Sequence, residues 1–291
     1  SRSIRSLMSF YGASDAEVKR AANRLEDTRN MIRREAWKGR KVLVVAPKKI
    51  RMELTGEKPF SDNNKLPLSG SFERNDDVQI IHFNALRGID RFKDFDTVVV
   101  IGRNQPPVNA VESTARALWW NRETPLQFHE GGYWPTEERT LHTTDGESEP
   151  VDVSVHPDPD VHRLVEQLRE RESLQAIDRL RLIHNTKAKR VVVLSNIPLP
   201  GLPADEVVEW KHLNPCRGAV AFMRDQFIPA AAAALSDFHR DLWPSAAAAK
   251  QDTRSVVGIK GPPRLSDELL GDQTPYVVSY RELGRPRGKP A

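Results

Sequence analysis

Apolar positions along the chain fall into two patterns. Three short continuous runs are rich in valine, Val42-Leu43-Val44-Val45-Ala46, Val98-Val99-Val100-Ile101 and Val191-Val192-Val193-Leu194, and residues 78–83 form a further, interrupted apolar stretch. Such runs suit strands of a parallel sheet buried on both faces, and they predict strands over 41–46, 78–83, 96–101 and 190–196. Between them, apolar residues recur at helical spacing. Val18, Ala21, Ala22, Leu25, Ile32 and Ala36 predict a helix over 16–37, with Asp15 as N-cap and Gly39 as its stop. Val111, Ala115 and Leu118 predict a second over 108–120. A third starts at 160 with Val161, Leu164, Val165 and Leu168, then changes phase before Leu174, Ile177 and Leu180, which predicts a bend or break near Glu170.

The intervening stretches are of other kinds. Residues 55–76 are polar and rich in Gly, Pro, Asn and Asp, the composition of a loop. In 123–159, Asp145-Gly146 and the alternation of Val151, Val153 and Val155 predict a β-hairpin inserted between helices, acidic in its latter half. The proline-rich Ile197-Pro198-Leu199-Pro200-Gly201-Leu202-Pro203 reads as a boundary. Beyond it, alanine runs at 230–234 and 246–249 are prone to helix, and 281–291 is a basic tail. The expected fold class is therefore α/β: a parallel sheet with flanking helices over 1–200, an inserted hairpin, and a small, mainly helical extension over 201–291.

Composition narrows the classes of function. The chain has 291 residues, 38% hydrophobic and 29% charged, and no apolar run approaches the ~20 residues needed to cross a bilayer. The absence of a charged-then-apolar opening segment and the single cysteine, Cys216, lead us to expect a cytoplasmic protein without a disulfide framework. Net charge is only +4, but residues 1–52 hold 14 Lys or Arg against 5 Asp or Glu. Such a segment either attracts a phosphate backbone or forms a solvated helix face.

Two stretches carry candidate chemistry. In Gln175-Ala176-Ile177-Asp178-Arg179-Leu180-Arg181, Gln175 and Arg179 stand four apart on one helix face and can reach a common anionic ligand. In Leu86-Arg87-Gly88-Ile89-Asp90, a glycine would let a phosphate or sugar approach the backbone closely, or would simply make a turn. Lys48 and Lys49 follow the first strand, at the carboxyl edge where open parallel sheets place ligands. His82 has no carboxylate or cysteine at metal-ligand spacing and reads as structural, as do Trp119-Trp120 at the end of a helix. The neighbouring Glu137 and Glu138 have no catalytic character, and we expect no metal ligands.

Together the two stretches resemble motifs V and VI of superfamily-two helicases and translocases. Arg87-Gly88-Ile89-Asp90 is similar to motif V of DEAD-box proteins, and Gln175-Ala176-Ile177-Asp178-Arg179 to motif VI of Swi/Snf-type remodellers, over roughly residues 15–200. The resemblance implies the second RecA-like domain of a motor. It assigns catalytic arginine roles to Arg179 and Arg181, nucleotide contacts to Gly88, Asp90 and Gln175, and nucleic-acid contacts to Lys48, Lys49 and Arg87. The family's second motif VI arginine is expected at position 182, which is leucine. Arg181 comes one residue early and would point away from Arg179 on an ideal helix.

A G-x-x-x-x-G-K-[ST] phosphate loop and an acidic D-E-x-[HD] quartet are both missing from the sequence. The expectation is thus a second motor half, inactive alone. It would act with ATP and Mg2+ bound mainly by a first RecA-like domain that this chain lacks, on nucleic acid, DNA rather than RNA. The alternative is a non-enzymatic nucleic-acid-binding or adaptor protein on the same scaffold. A third reading, a doubly wound enzyme for a small nucleotide or sugar, lacks a glycine-rich turn after any strand.

Overall fold

A computed structural model describes residues 15–56, 77–86, 88, 90–129, 133–208, 210–213, 217–225, 228–229 and 231–255. Of the loop expected at 55–76, Thr55 ends a helix and Gly56 caps it, and residues 57–76, like Arg87, Cys216 and the basic tail, lie outside the described residues. The chain divides into two compact units, Ser1–Glu209 and Trp210–Ala291.

The first unit is α/β. Helix α1 (Asp15–Trp37) leads into β1 (Val42–Ala46), α2 (Lys48–Thr55), β2 (Val78–His82), β3 (Thr97–Ile101) and α3 (Val108–Leu118). A hairpin follows, β4 (Thr136–His142) and β5 (Ser148–Ser154), and then α4 (Pro159–Asp178) and β6 (Arg190–Leu194). Four parallel strands form one sheet in the order β2-β1-β3-β6, and the hairpin is a separate antiparallel pair. This is the architecture that the hydrophobic runs predict, and it is consistent with a RecA-like α/β fold. The two central strands are buried along their full lengths, as their uninterrupted valines require.

Helix α2 was not foreseen from the sequence. Its stripe is short, Ile50, Met52 and Leu54, and it starts directly after Pro47 and ends at Gly56 in a left-handed turn (φ 70°). Several of the arginines in the basic opening segment are paired internally. Arg29 and Arg33 pair with Glu26, and the buried Glu35 gathers Arg34 and Arg40 together with Arg190 of β6.

Of the bend or break expected near Glu170, no break occurs: α4 runs unbroken from Pro159 to Asp178. The change of phase marks a change of packing partner. Val161 and Val165 pack with Val111, Ala115 and Trp134, whereas Ala176, Ile177 and Leu180 join the sheet core of Leu43, Val45, Phe83, Val98 and Val100. Between the two halves lies Arg169, 1% exposed, whose guanidinium engages both carboxylate oxygens of buried Glu170 and donates to the Ser154 carbonyl at 2.8 Å. This pair holds the hairpin exit to the middle of the helix.

The second unit contains α5 (Trp210–Leu213), α6 (Arg217–Asp225), α7 (Ala232–Phe238) and α8 (Ala246–Ser255). Ala221, Leu235, Trp243 and Ala249 form its core, and its described residues are helical apart from turns, as the alanine runs predict.

Glu170→Gln leaves the buried Arg169 charge uncompensated and should destabilise α4 by about 3–5 kcal/mol. Arg163→Gln, which removes a solvent-exposed pair with Asp160, should cost no more than about 1 kcal/mol. Hydrogen exchange of the α4 amides measures both.

Candidate functional site

Strand order sets where ligands approach. The direction in which the chain winds through the sheet reverses between β1 and β3, and in open α/β sheets this switch point opens a crevice outside the carboxyl ends of the strands. Lys48 and Lys49 begin α2 at that edge, and Arg103 follows β3 there. Lys49 acts on the Glu53 carboxyl one turn later, whose pKa is nevertheless raised because burial outweighs the pull of Lys49 and Arg29. Lys48 faces a different neighbour, His82 at the end of β2. Burial holds the His82 imidazole below its ordinary value, and the positive charges of Arg51 and Lys48 push it lower still. The carboxyl edge is thus a cationic corner in which His82 stays neutral at pH 7.

The motif-like stretches meet elsewhere. The middle of helix α4 stands near the carboxyl edge, where Asn104 donates to the Leu168 carbonyl (2.8 Å) and the Asn84 amide donates to Glu172 (2.8 Å). The helix ends near the opposite edge, where Leu180 shares a core with Phe95, just ahead of β3. Lys189 closes that end by donating to the Phe95 carbonyl.

Helical geometry stops at Asp178, so the ideal-helix projection does not apply to Arg181. Arg179 caps the helix in right-handed conformation, and Arg181 turns left-handed (φ 51°) with its amide on the Asp178 carbonyl (2.9 Å). This is the position of a helix stop where glycine is usual, and an arginine there carries strain of about 1–2 kcal/mol. The turn swings the Arg181 guanidinium onto the carboxylate of Asp90 at 2.5 Å, across 91 residues of sequence. Both side chains are about half exposed, so the pair adds at most about 1 kcal/mol to stability. Its consequence is orientation.

Gly88 stands two residues before Asp90, and Gln175 and Arg179 lie at the end of α4 just before Arg181. Gly88 is exposed with φ 75°, and a Cβ built there would meet nothing within 4 Å. The glycine is therefore required by backbone conformation, and open space lies over it. Gln175 and Arg179 are each partly buried, and the Gln175 side-chain carbonyl oxygen is buried without a hydrogen-bond partner. Arg87 lies outside the described residues. The structure thus brings Asp90 and Arg181 together, sets Gln175 and Arg179 at the end of the same helix, and places Lys48 and Lys49 at the other edge of the sheet. Glu172, which fixes the start of the loop from Asn84 to Asp90, is a residue that sequence reasoning missed; its only signal was a glutamate within a helix otherwise read for its apolar stripe.

Replacing Lys48 or Arg51 with Gln should raise the His82 pKa toward its ordinary value of 6.5, because each substitution removes a cation that disfavours imidazolium. Proton NMR titration of the His82 ring measures the change. The chain matches no protein-family model, no curated protein and no solved structure.

Proposed function

We propose that this chain is the second motor domain of an ATP-dependent nucleic-acid translocase or helicase. The observation that carries the reading is the Asp90–Arg181 pair, which draws the two motif-like stretches to one place on the surface. Arg181 and Arg179 close over nucleotide bound to a separate first domain, where an arginine stabilises charge on the transferring phosphoryl group. Gln175, Gly88 and Asp90 surround the same nucleotide. Lys48 and Lys49 at the far edge belong to the nucleic-acid track, with Arg87 assigned to that track by its motif.

Two separate edges suit a motor, which must hold nucleotide and strand at once. Opening and closing between its two domains then advances the strand. Among the described residues no group of three or more His, Cys, Asp or Glu could hold a metal ion, and we assign the magnesium of ATP to the first domain. No helix among the described residues is long and apolar enough to cross a membrane. With a single cysteine in the sequence, we place the protein in the cytoplasm, with DNA as substrate.

In a motor reconstituted from this chain and a competent first domain, Arg179→Ala or Arg181→Ala should lower nucleic-acid-stimulated ATP hydrolysis by roughly a thousandfold. Nucleic-acid binding should persist in both variants. Lys48→Ala with Lys49→Ala should weaken binding uniformly across sequences and reduce its salt slope by about one for each lysine that touches a phosphate. Unchanged hydrolysis in both arginine variants would make the arginines structural and leave the adaptor reading.

A further inference from the structure

The junction between the hairpin and α4 holds a set of buried ionisable groups that the motor reading does not use. His156, Asp158 and His162 are 1%, 4% and 9% exposed, and Glu112 of α3 is 6% exposed. Their hydrogen bonds fix the tautomer of His162. Its Nδ1 accepts the backbone N–H of His156 at 3.2 Å, so Nδ1 is unprotonated, and its Nε2–H faces Glu166 at 3.3 Å. The chain between β5 and α4 is therefore tied to the helix through a nitrogen that can accept only while the ring is neutral. Nearby, the His156 ring lies between Glu112 and the Asp158 backbone, and the Asp158 carboxylate caps α4 by accepting from Asp160 and Val161.

We propose that His162 is a proton-operated joint: protonation of Nδ1 sets a donor against the His156 amide and frees the hairpin exit from the start of α4. The joint is local, because the Arg169 bond to the Ser154 carbonyl, just ahead of it, contains no titrating imidazole. The charges facing His162 come from two elements. Glu166 and Arg169 lie on its own helix, and Glu137 and Arg139 reach it from β4. Burial holds the ring below its ordinary 6.5, opposed by Glu166 and Glu137 and reinforced by Arg169 and Arg139. The sign follows from linkage: the tie is complete above the unfolded value and is lost as pH falls through the lower, folded one.

Hydrogen exchange of the full chain between pH 7.5 and 5, corrected for its intrinsic pH dependence, tests the joint. Protection of the His156 amide should fall by about tenfold per pH unit between the unfolded and the lower, folded His162 value and level off below it, and it should be flat in His162→Gln. Glu166→Gln should move the transition to lower pH, because that carboxylate favours the charged ring. Flat protection in the wild type, or an equal fall in His162→Gln, would overturn the proposal. Should His162→Gln fail to fold, nitrogen-15 NMR of the wild-type ring decides. An unprotonated Nδ1 at pH 7.5 that gains its proton as the His156 amide shifts supports the joint, and a protonated Nδ1 at pH 7.5 refutes it.

Discussion

The buried ion pair of Arg169 and Glu170 is the constraint around which the first unit is arranged. A charge at 1% exposure is tolerable only when its hydrogen bonds are met, and here Glu170 and the Ser154 carbonyl give each guanidinium nitrogen an acceptor. Burial holds the Glu170 carboxyl above its ordinary value, outweighing the hydrogen bond and charge of Arg169 that draw it down. The pair sits where α4 passes from packing on α3 to packing on the sheet. One helix thereby fixes the hairpin, the loop after β2 and the loop after β3, through Ser154, Asn84 and Asn104.

From that helix the functional geometry follows. Its middle stands by the carboxyl edge with Asn104 and Asn84, and its end carries Gln175 and Arg179 toward the opposite edge. The left-handed turn at Arg181 converts a position that a regular helix would aim away into one that meets Asp90. Strain at a non-glycine residue persists when the surroundings determine it, and here an exposed ion pair of small energy accompanies it. Orientation of the guanidinium, more than stability, is what the arrangement delivers.

Much of the fold was legible in the sequence because continuous valine runs have few alternatives to a parallel strand. The three such runs and the interrupted stretch at 78–83 became strands of one sheet, and Asp145-Gly146 lies in the turn of the hairpin. Helix α2 was missed because three apolar residues over eight positions make too short a stripe to stand out. The phase change in α4 was misread as a break, since one-dimensional periodicity records which face is buried and not which element buries it. The pairing of Asp90 with Arg181 was beyond sequence reasoning, because it depends on where the helix stops. The basic segment 1–52 was equally ambiguous: a formal excess of charge does not reveal that Glu35 gathers three arginines.

On the proposed motor reading, Asp90 and Arg181 mark the surface that meets nucleotide held by another domain. The most direct measurement is a photo-cross-link from ATP carrying a reactive group on its γ-phosphate, bound to the first motor domain in the presence of this chain and a nucleic-acid strand. Adducts are expected at Gly88, Asp90, Arg179 or Arg181. Adducts confined to Lys48, Lys49 or Arg103 at the opposite edge, or to the helical second unit, would contradict that reading.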